Sequence, residues 1–261
     1  MSPEASGAAG IPAGAPAIPP LRGDLALVAD MIEPGTRVLD VGCGEGELMA
    51  YLMRAKGVDA RGIELSQSGV NACVRAGLSV IQGDADRDLA DYPSDAFDYA
   101  VLSQTLQAMR NPLGVVEQLV RIGRRAIVSF PNFGHWRIRL HLMLRGRMPV
   151  THRLNHAWYD TPNIHLCTLR DFVSLTSALD VAIEHSVTLD RSGLPFKLDP
   201  GGNLANLLAE QVTVTNKLTR PNHGRVYSNP HTWVQSLIRA LVALGPMYDR
   251  TGCGLVRTTI E

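Results

Sequence analysis

The chain has 261 residues, 45 % of them apolar, with 25 basic and 25 acidic side chains and no net charge. That is enough for one good core, since single domains of up to about 250 residues are ordinary, and the balance excludes a global electrostatic pull toward nucleic acid or an anionic membrane. Four scattered cysteines, Cys43, Cys73, Cys167 and Cys253, form no CxxC pair, which speaks against a disulfide framework or a zinc site and fits a reducing cytoplasm.

Residues 1–20, MSPEASGAAGIPAGAPAIPP, are almost all Ala, Gly, Pro and Ser. Such a segment buries too little to offset its ordering entropy and is expected to be disordered. It lacks the basic-then-apolar pattern of a signal peptide, and no apolar run in the chain approaches the roughly 18 residues of a membrane-spanning helix. Helical spacing begins in LRGDLALVADMIEPG: Leu25, Val28 and Ile32 share a face, Asp24 is the expected N-cap, and Pro34-Gly35 ends the segment.

The chain then alternates. Strands are predicted at Thr36–Val41, Asp59–Glu64, Ser79–Gly83, Phe97–Leu102 and Arg125–Phe130. Helices are predicted at Glu47–Lys56, Ser66–Ala76 and Asn111–Leu119. Alternation at this spacing predicts an α/β fold of βαβ units, a mainly parallel twisted sheet with helices on both faces. In such sheets ligands bind at the carboxyl ends of the strands. The domain is expected over residues 21–212, followed by a C-terminal extension, 213–261, with six basic and two acidic residues. One amphipathic helix is predicted in that extension, His231–Gly245, with Trp233, Leu237, Leu241 and Leu244 in one stripe. It could dock on its own domain, bind a partner, or belong to a tail without fixed structure or foreign to the gene.

The stretch Asp40-Val41-Gly42-Cys43-Gly44-Glu45-Gly46 follows the first strand. Gly42, Gly44 and Gly46 allow a tight turn and close approach of backbone to ligand. A plain strand-to-helix turn is the simplest alternative. A dinucleotide fingerprint needs a small residue at position 47, and the chain has Glu47; a carboxylate there sits poorly against a pyrophosphate. The D-x-G-x-G-x-G pattern suits a ligand without phosphate, S-adenosylmethionine, whose ammonium group can use Asp40 and nearby carbonyls. Glu64, at the end of the second strand, can accept from both ribose hydroxyls, and Asp84, after the third, from the adenine amino group. Each acid alone reads more readily as an ordinary loop acid; three at successive strand ends, with the glycine loop, make a site. Over roughly residues 21–190 the pattern resembles the class I S-adenosylmethionine-dependent methyltransferase superfamily.

Three longer stretches carry a closer resemblance: VLSQTLQAMRNP (Val101–Pro112), IVSFPNFGHWRIRLHLMLRGRMPVT (Ile127–Thr151) and WYDTPNIHLCTLRDF (Trp158–Phe172). With the glycine loop, they are similar to the bacterial methionine-biosynthesis protein W family, MetW, from about Asp24 to Gln211. The resemblance implies a methyltransferase-like fold and a role in the first dedicated step of methionine synthesis, in support of a homoserine O-acyltransferase partner. It does not itself imply methyl transfer. Two parts depart from the family: the first twenty residues, and about fifty beyond NLLAEQV, where such a protein is expected to end with its last strand.

Methyl transfer from a sulfonium is mostly positioning and needs at most one general base. Ser103, at the end of the fourth strand, joins the expected cofactor site, with Gln104 and Thr105 beside it. Gln104 and, after the fifth strand, Asn132 are candidates to face a substrate or partner, as are His135, Tyr159, Asn163 and His165. A lone histidine is more often structural, and Tyr159–Asn163 also reads as a polar turn. No cluster has metal-ligand spacing. Between Glu117 and Asp160 there is no acid but eight arginines: Arg121, Arg124, Arg125, Arg137, Arg139, Arg145, Arg147 and Arg153. That span is a solvated face, a docking surface for an acidic protein, or a site for an anionic substrate or RNA; sparse aromatics disfavour nucleic acid. The functional readings are an accessory protein of methionine biosynthesis, a small-molecule methyltransferase, and an RNA methyltransferase.

Overall fold

The computed structural model describes residues 21–218 apart from 152, 153, 155, 190–194, 197 and 201. The extension 1–20 and the predicted helix His231–Gly245 lie outside the described residues. The chain enters through α1, Gly23–Asp30, which lays Leu25, Val28 and Ala29 into the core. Asp24 does not cap it. The Ala26 N–H bonds the Arg22 carbonyl at 2.9 Å, so Arg22 is the N-cap and Asp24 falls in the first turn, 4 % exposed. A carboxylate there still complements the positive helix end.

The predicted alternation follows, with no end shifted by more than three residues. It runs β1 (Arg37–Val41), α2 (Glu47–Lys56), β2 (Asp59–Glu64), α3 (Gln67–Arg75) and β3 (Ser79–Gln82), followed by a single turn without a sequence prediction, α4 (Ala85–Asp88). Then come β4 (Phe97–Ser103), α5 (Pro112–Ile122) and β5 (Gly123–Pro131). Caps explain several starts. Ser66 accepts from the Gly69 N–H, and Asn111 from the Gly114 N–H with Pro112 in the first turn. Beyond β5 lie elements whose bounds the sequence did not give: α6 (Trp136–Arg145), α7 (Leu169–Ala178), β6 (Val181–Leu189), β7 (Pro195–Phe196), α8 (Asn203–Leu208) and the last strand, β8 (Gln211–Leu218). Strand β8 runs across residue 212, where the sequence reading ends the domain.

The strands form one sheet in the order β3-β2-β1-β4-β5-β8-β6-β7. The first five are parallel. Strand β8 returns between β5 and β6 and pairs antiparallel with both, and β7 is antiparallel to β6. Helices cover both faces. On one, α1, α2 and Cys73 of α3 pack on Val38, Tyr99, Val101 and Ile127. On the other, α5, α7 and Ala205 of α8 pack on Leu39, Val41, Leu102, Val128 and Val214. The ends of β1, β2, β4 and β5 emerge along one edge.

Candidate functional site

The loop after β1 is held from both sides. Gly42, Gly44 and Gly46 have φ of 71°, 57° and 80°, the left-handed region that other residues enter at a cost. A Cβ on Gly42 would sit 2.8 Å from Thr105 Cγ2, and one on Gly46 would run into Leu78 and Cys73. Gly44 differs: nothing lies within 4 Å of where its Cβ would be. The loop is thus packed at its ends and open in its middle. Two further glycines that the motif reading missed close the packing. A Cβ on Gly62 would meet Cys43 Sγ at 2.6 Å, and one on Gly69 would meet the Gly44 carbonyl at 2.8 Å. The signal for them was weak, a glycine inside a strand and one inside a helix.

Glu64 ties the loop to β2. Its Oε2 accepts from the Gly44 N–H at 2.9 Å and its Oε1 from the Ser66 N–H at 2.8 Å. A carboxylate has about four acceptor positions, so each oxygen keeps capacity for a ribose hydroxyl. Asp40 is 3 % exposed and lies in register with Gly62 and Val101. Burial, and then the neighbouring Glu64 carboxylate, push its pKa up to about 7. Cys43 and Cys73, 3.9 Å apart at sulfur, are raised chiefly by burial and stay thiols.

Asp84 caps α4 with Oδ1, 3.1 Å from the Asp86 N–H, while Oδ2 is 4.0 Å from Arg87 Nε. Its neighbours brace the loop: Asp88 accepts from the Asp84 N–H, and Asp86 from the N–H groups of Arg110 and Asn111. At the end of β4, Ser103 Oγ lies 3.0 Å from Ser129 Oγ of β5. Gln104 has φ 56° and its backbone N–H bonds the Ser129 carbonyl at 2.9 Å. Thr105, bonded to the Ser103 carbonyl at 2.7 Å, packs against Gly42 and so links β4 to the loop. Ser129 sits in register with Ser103 and Thr213, and Pro131 with Gln211. Ser129, Thr213 and Gln211 are fully buried, and the Thr213 hydroxyl and Gln211 amide lack partners. The sequence reading did not find this polar row, because it ended the domain at residue 212 and gave the last strand no place beside β5.

Of the substrate- or partner-facing candidates, Gln104 lies beside Thr105 at the loop, and the others lie on the segment from residue 132 to 165. Asn132 is 1 % exposed and spent: its Nδ2 donates to the carbonyls of Asn206 and Ala209, and its Oδ1 accepts from the N–H groups of Gly134 and Leu169. It joins β5, α7 and α8, and these four bonds occupy its amide. His135 is buried and caps α6, its Nδ1 accepting from the Arg137 N–H; burial first, and Arg137 besides, lower its pKa. Tyr159 is exposed, edge-on to Trp158 with ring centroids 5.8 Å apart. Asn163 lines a cavity of about 130 Å³. His165 is exposed, and its backbone N–H, like that of Ile164, bonds the Gln107 carbonyl at 2.9 Å. Gln107, buried and bonded to the Pro131 carbonyl at 3.0 Å, anchors this segment near the ends of β4 and β5.

The open middle of the loop, the spare acceptor capacity of Glu64 and the buried acid at Asp40 suit S-adenosylmethionine. When bound, that group supplies an electrophilic methyl. Asp40 would hold its ammonium, Gly44 would admit it, and Glu64 would take its ribose hydroxyls. Among the described residues no group of three His, Cys, Asp or Glu side chains could hold a metal ion, and no helix is long and apolar enough to cross a membrane.

A mainly parallel sheet with antiparallel β8 inserted between β5 and β6 and antiparallel β7 at its edge, with helices on both faces and a glycine loop after its first strand, defines a Rossmann-like protein of the class I methyltransferase fold. Solved structures agree. A chain of the complex containing the Haloferax volcanii Trm112 methyltransferase activator matches with a TM-score of 0.56 at 14 % identity, over 77 % of this chain and 91 % of that one. A SAM-dependent methyltransferase from Archaeoglobus fulgidus matches at 0.52 and 15 %, over 74 % and 94 %. The chain belongs to the MetW family: the model of methionine biosynthesis protein MetW matches residues 22–214. A bifunctional methionine biosynthesis protein MetXA/MetW from Rhodopirellula baltica is 34 % identical over 187 residues, 67 % of this chain. The match spans only 30 % of that relative's length.

Proposed function

We propose that this protein binds S-adenosylmethionine at the glycine loop and acts with a homoserine O-acyltransferase in the first dedicated step of methionine biosynthesis. Membership of the family supports the pathway. The relative whose name joins MetXA to MetW supports the partner, with MetXA read as the acyltransferase. The single observation that carries the ligand is the loop itself, packed at Gly42 and Gly46, open at Gly44 and tied to Glu64. The reading places the protein in the cytoplasm, with Cys43, Cys73 and Cys167 as free thiols in support.

S-adenosylmethionine is made from methionine, so a protein that binds it beside the first enzyme can report supply to that enzyme. Such coupling requires different ligand affinities in the two states of the complex. The test is homoserine acylation by the acyltransferase, with and without this protein, titrated with S-adenosylmethionine. The protein should change the rate, and the titrant should change the protein's effect. No effect in any combination sinks this reading.

A second reading, a small-molecule methyltransferase, has one specific observation in its favour. The Thr213 hydroxyl and Gln211 amide are buried and unspent on the row that starts at Ser103, next to the loop. Buried polar groups normally find partners, and a polar acceptor molecule would provide them. Transfer of label from methyl-labelled S-adenosylmethionine to a small molecule in cell extract would establish it.

A further inference from the structure

Helix α6 is apolar on two sides, and one of them faces solvent. From Ile138 to Leu144 its sequence alternates almost with period two, the pattern of a strand. A helix turns about 100° per residue and therefore splits such an alternation between opposite faces. Ile138 and Leu142 fall on the inner side, buried and half-buried. Trp136, Leu140, Met143 and Leu144 fall on the other, 40 %, 39 %, 74 % and 70 % exposed. Exposed Arg137 and Arg139 flank this stripe, the Arg137 guanidinium lying 5.2 Å from the centre of the Trp136 ring. The chain at both ends of the helix extends the surface. Phe133 before it and Met148 after it line, with Trp158, Ile164 and Leu166, the cavity of about 130 Å³.

An apolar stripe of this size continuing into a pocket marks an interaction site. Trp, Met and Arg are the residues enriched where proteins meet. Charge selects the partner: Arg137, Arg139, Arg145 and Arg147 lie on or next to α6 and residues 126–159 hold no acid, so the occupant presents acids around an apolar centre. A bilayer matches a convex stripe but does not fill a pocket; a protein side chain does. We infer that the outer face of α6, with the adjoining cavity, is the surface on which the homoserine O-acyltransferase docks. This rests on the functional reading above and adds the place of contact.

The test uses the full chain and the purified acyltransferase. The double substitution Met143→Asp with Leu144→Asp is on exposed side chains and should preserve the fold and S-adenosylmethionine binding. It should weaken the complex by about tenfold or more in calorimetry. Arg145→Glu with Arg147→Glu should also weaken it and flatten its dependence on salt. A photo-crosslinking p-benzoylphenylalanine in place of Leu144 should trap the acyltransferase. Unchanged affinity in both double variants overturns the inference while leaving the functional reading intact. Crosslinks that go instead to lipid of added anionic vesicles, to a second copy of this chain, or to its own residues 221–261 overturn it likewise. An unsubstituted protein that fails to bind the acyltransferase at all overturns both.

Discussion

Asp40 is a carboxyl group placed where charge is costly, and its titration gives the most direct test of the pocket. Buried and beside Glu64, it keeps its proton up to about pH 7, far above the ordinary carboxylate range. A bound ammonium group requires the ionised form. S-adenosylmethionine affinity should therefore rise about tenfold per pH unit below 7 and level off above it. Asp40→Asn should weaken binding and flatten that profile in calorimetry. Stability of the unliganded protein runs the other way. Between about pH 4 and 7 the folded chain binds the proton that the unfolded chain has released, so stability falls as pH rises. Asp40→Asn should remove up to about 4 kcal/mol of this loss, read as a flatter melting temperature from pH 5 to 8. Glu64→Gln, keeping shape but not charge, should weaken the ligand about tenfold. Gly46→Ala should cost about 2 kcal/mol or more, since it adds left-handed strain to an occupied space. Asp40, Glu64 and the glycines are legible in sequence because strand ends and glycine spacing are local properties. Gly62 and Gly69 are not, because what excludes a side chain there comes from elsewhere in the chain.

At the scale of elements the same division holds. Strands β1 to β5 and the helices between them follow from hydrophobic alternation and capping residues. The segment after β5 does not. Helix α6 carries the period of a strand, and its outward stripe contradicts the rule that an apolar face points inward. Strand β8, Gln-Val-Thr-Val-Thr-Asn, carries polar residues that only the register with β5 places inside. Asn132 is the sharpest case. At a strand end after Phe130-Pro131 it looked like a ligand contact, yet it holds three elements together. Asn132→Ala leaves four backbone groups without partners and should cost about 3 kcal/mol or more in denaturant unfolding. A ligand-contacting asparagine would instead change binding and leave stability near normal, so the two roles separate in one pair of measurements.

At the scale of the whole molecule, the glycine loop and the outer face of α6 are different surfaces of the same domain. The loops at the strand ends lie between them: Thr105 packs on Gly42, Gln107 ties the end of β5 to the 163–165 segment, and Phe133 leads from β5 into α6. If ligand at the loop alters partner affinity at the helix, linkage requires the partner to alter ligand affinity by the same factor. An end product of the pathway should oppose the complex that starts it. S-adenosylmethionine should therefore weaken the acyltransferase complex by about fivefold or more, and the acyltransferase should raise the dissociation constant of S-adenosylmethionine equally. Calorimetry of each ligand in the absence and presence of the other checks both arms. Identical constants would make the pocket and the docking surface independent, and the protein an accessory that does not sense. A coupling present in the parent and lost in Glu64→Gln would place the sensor at the end of β2.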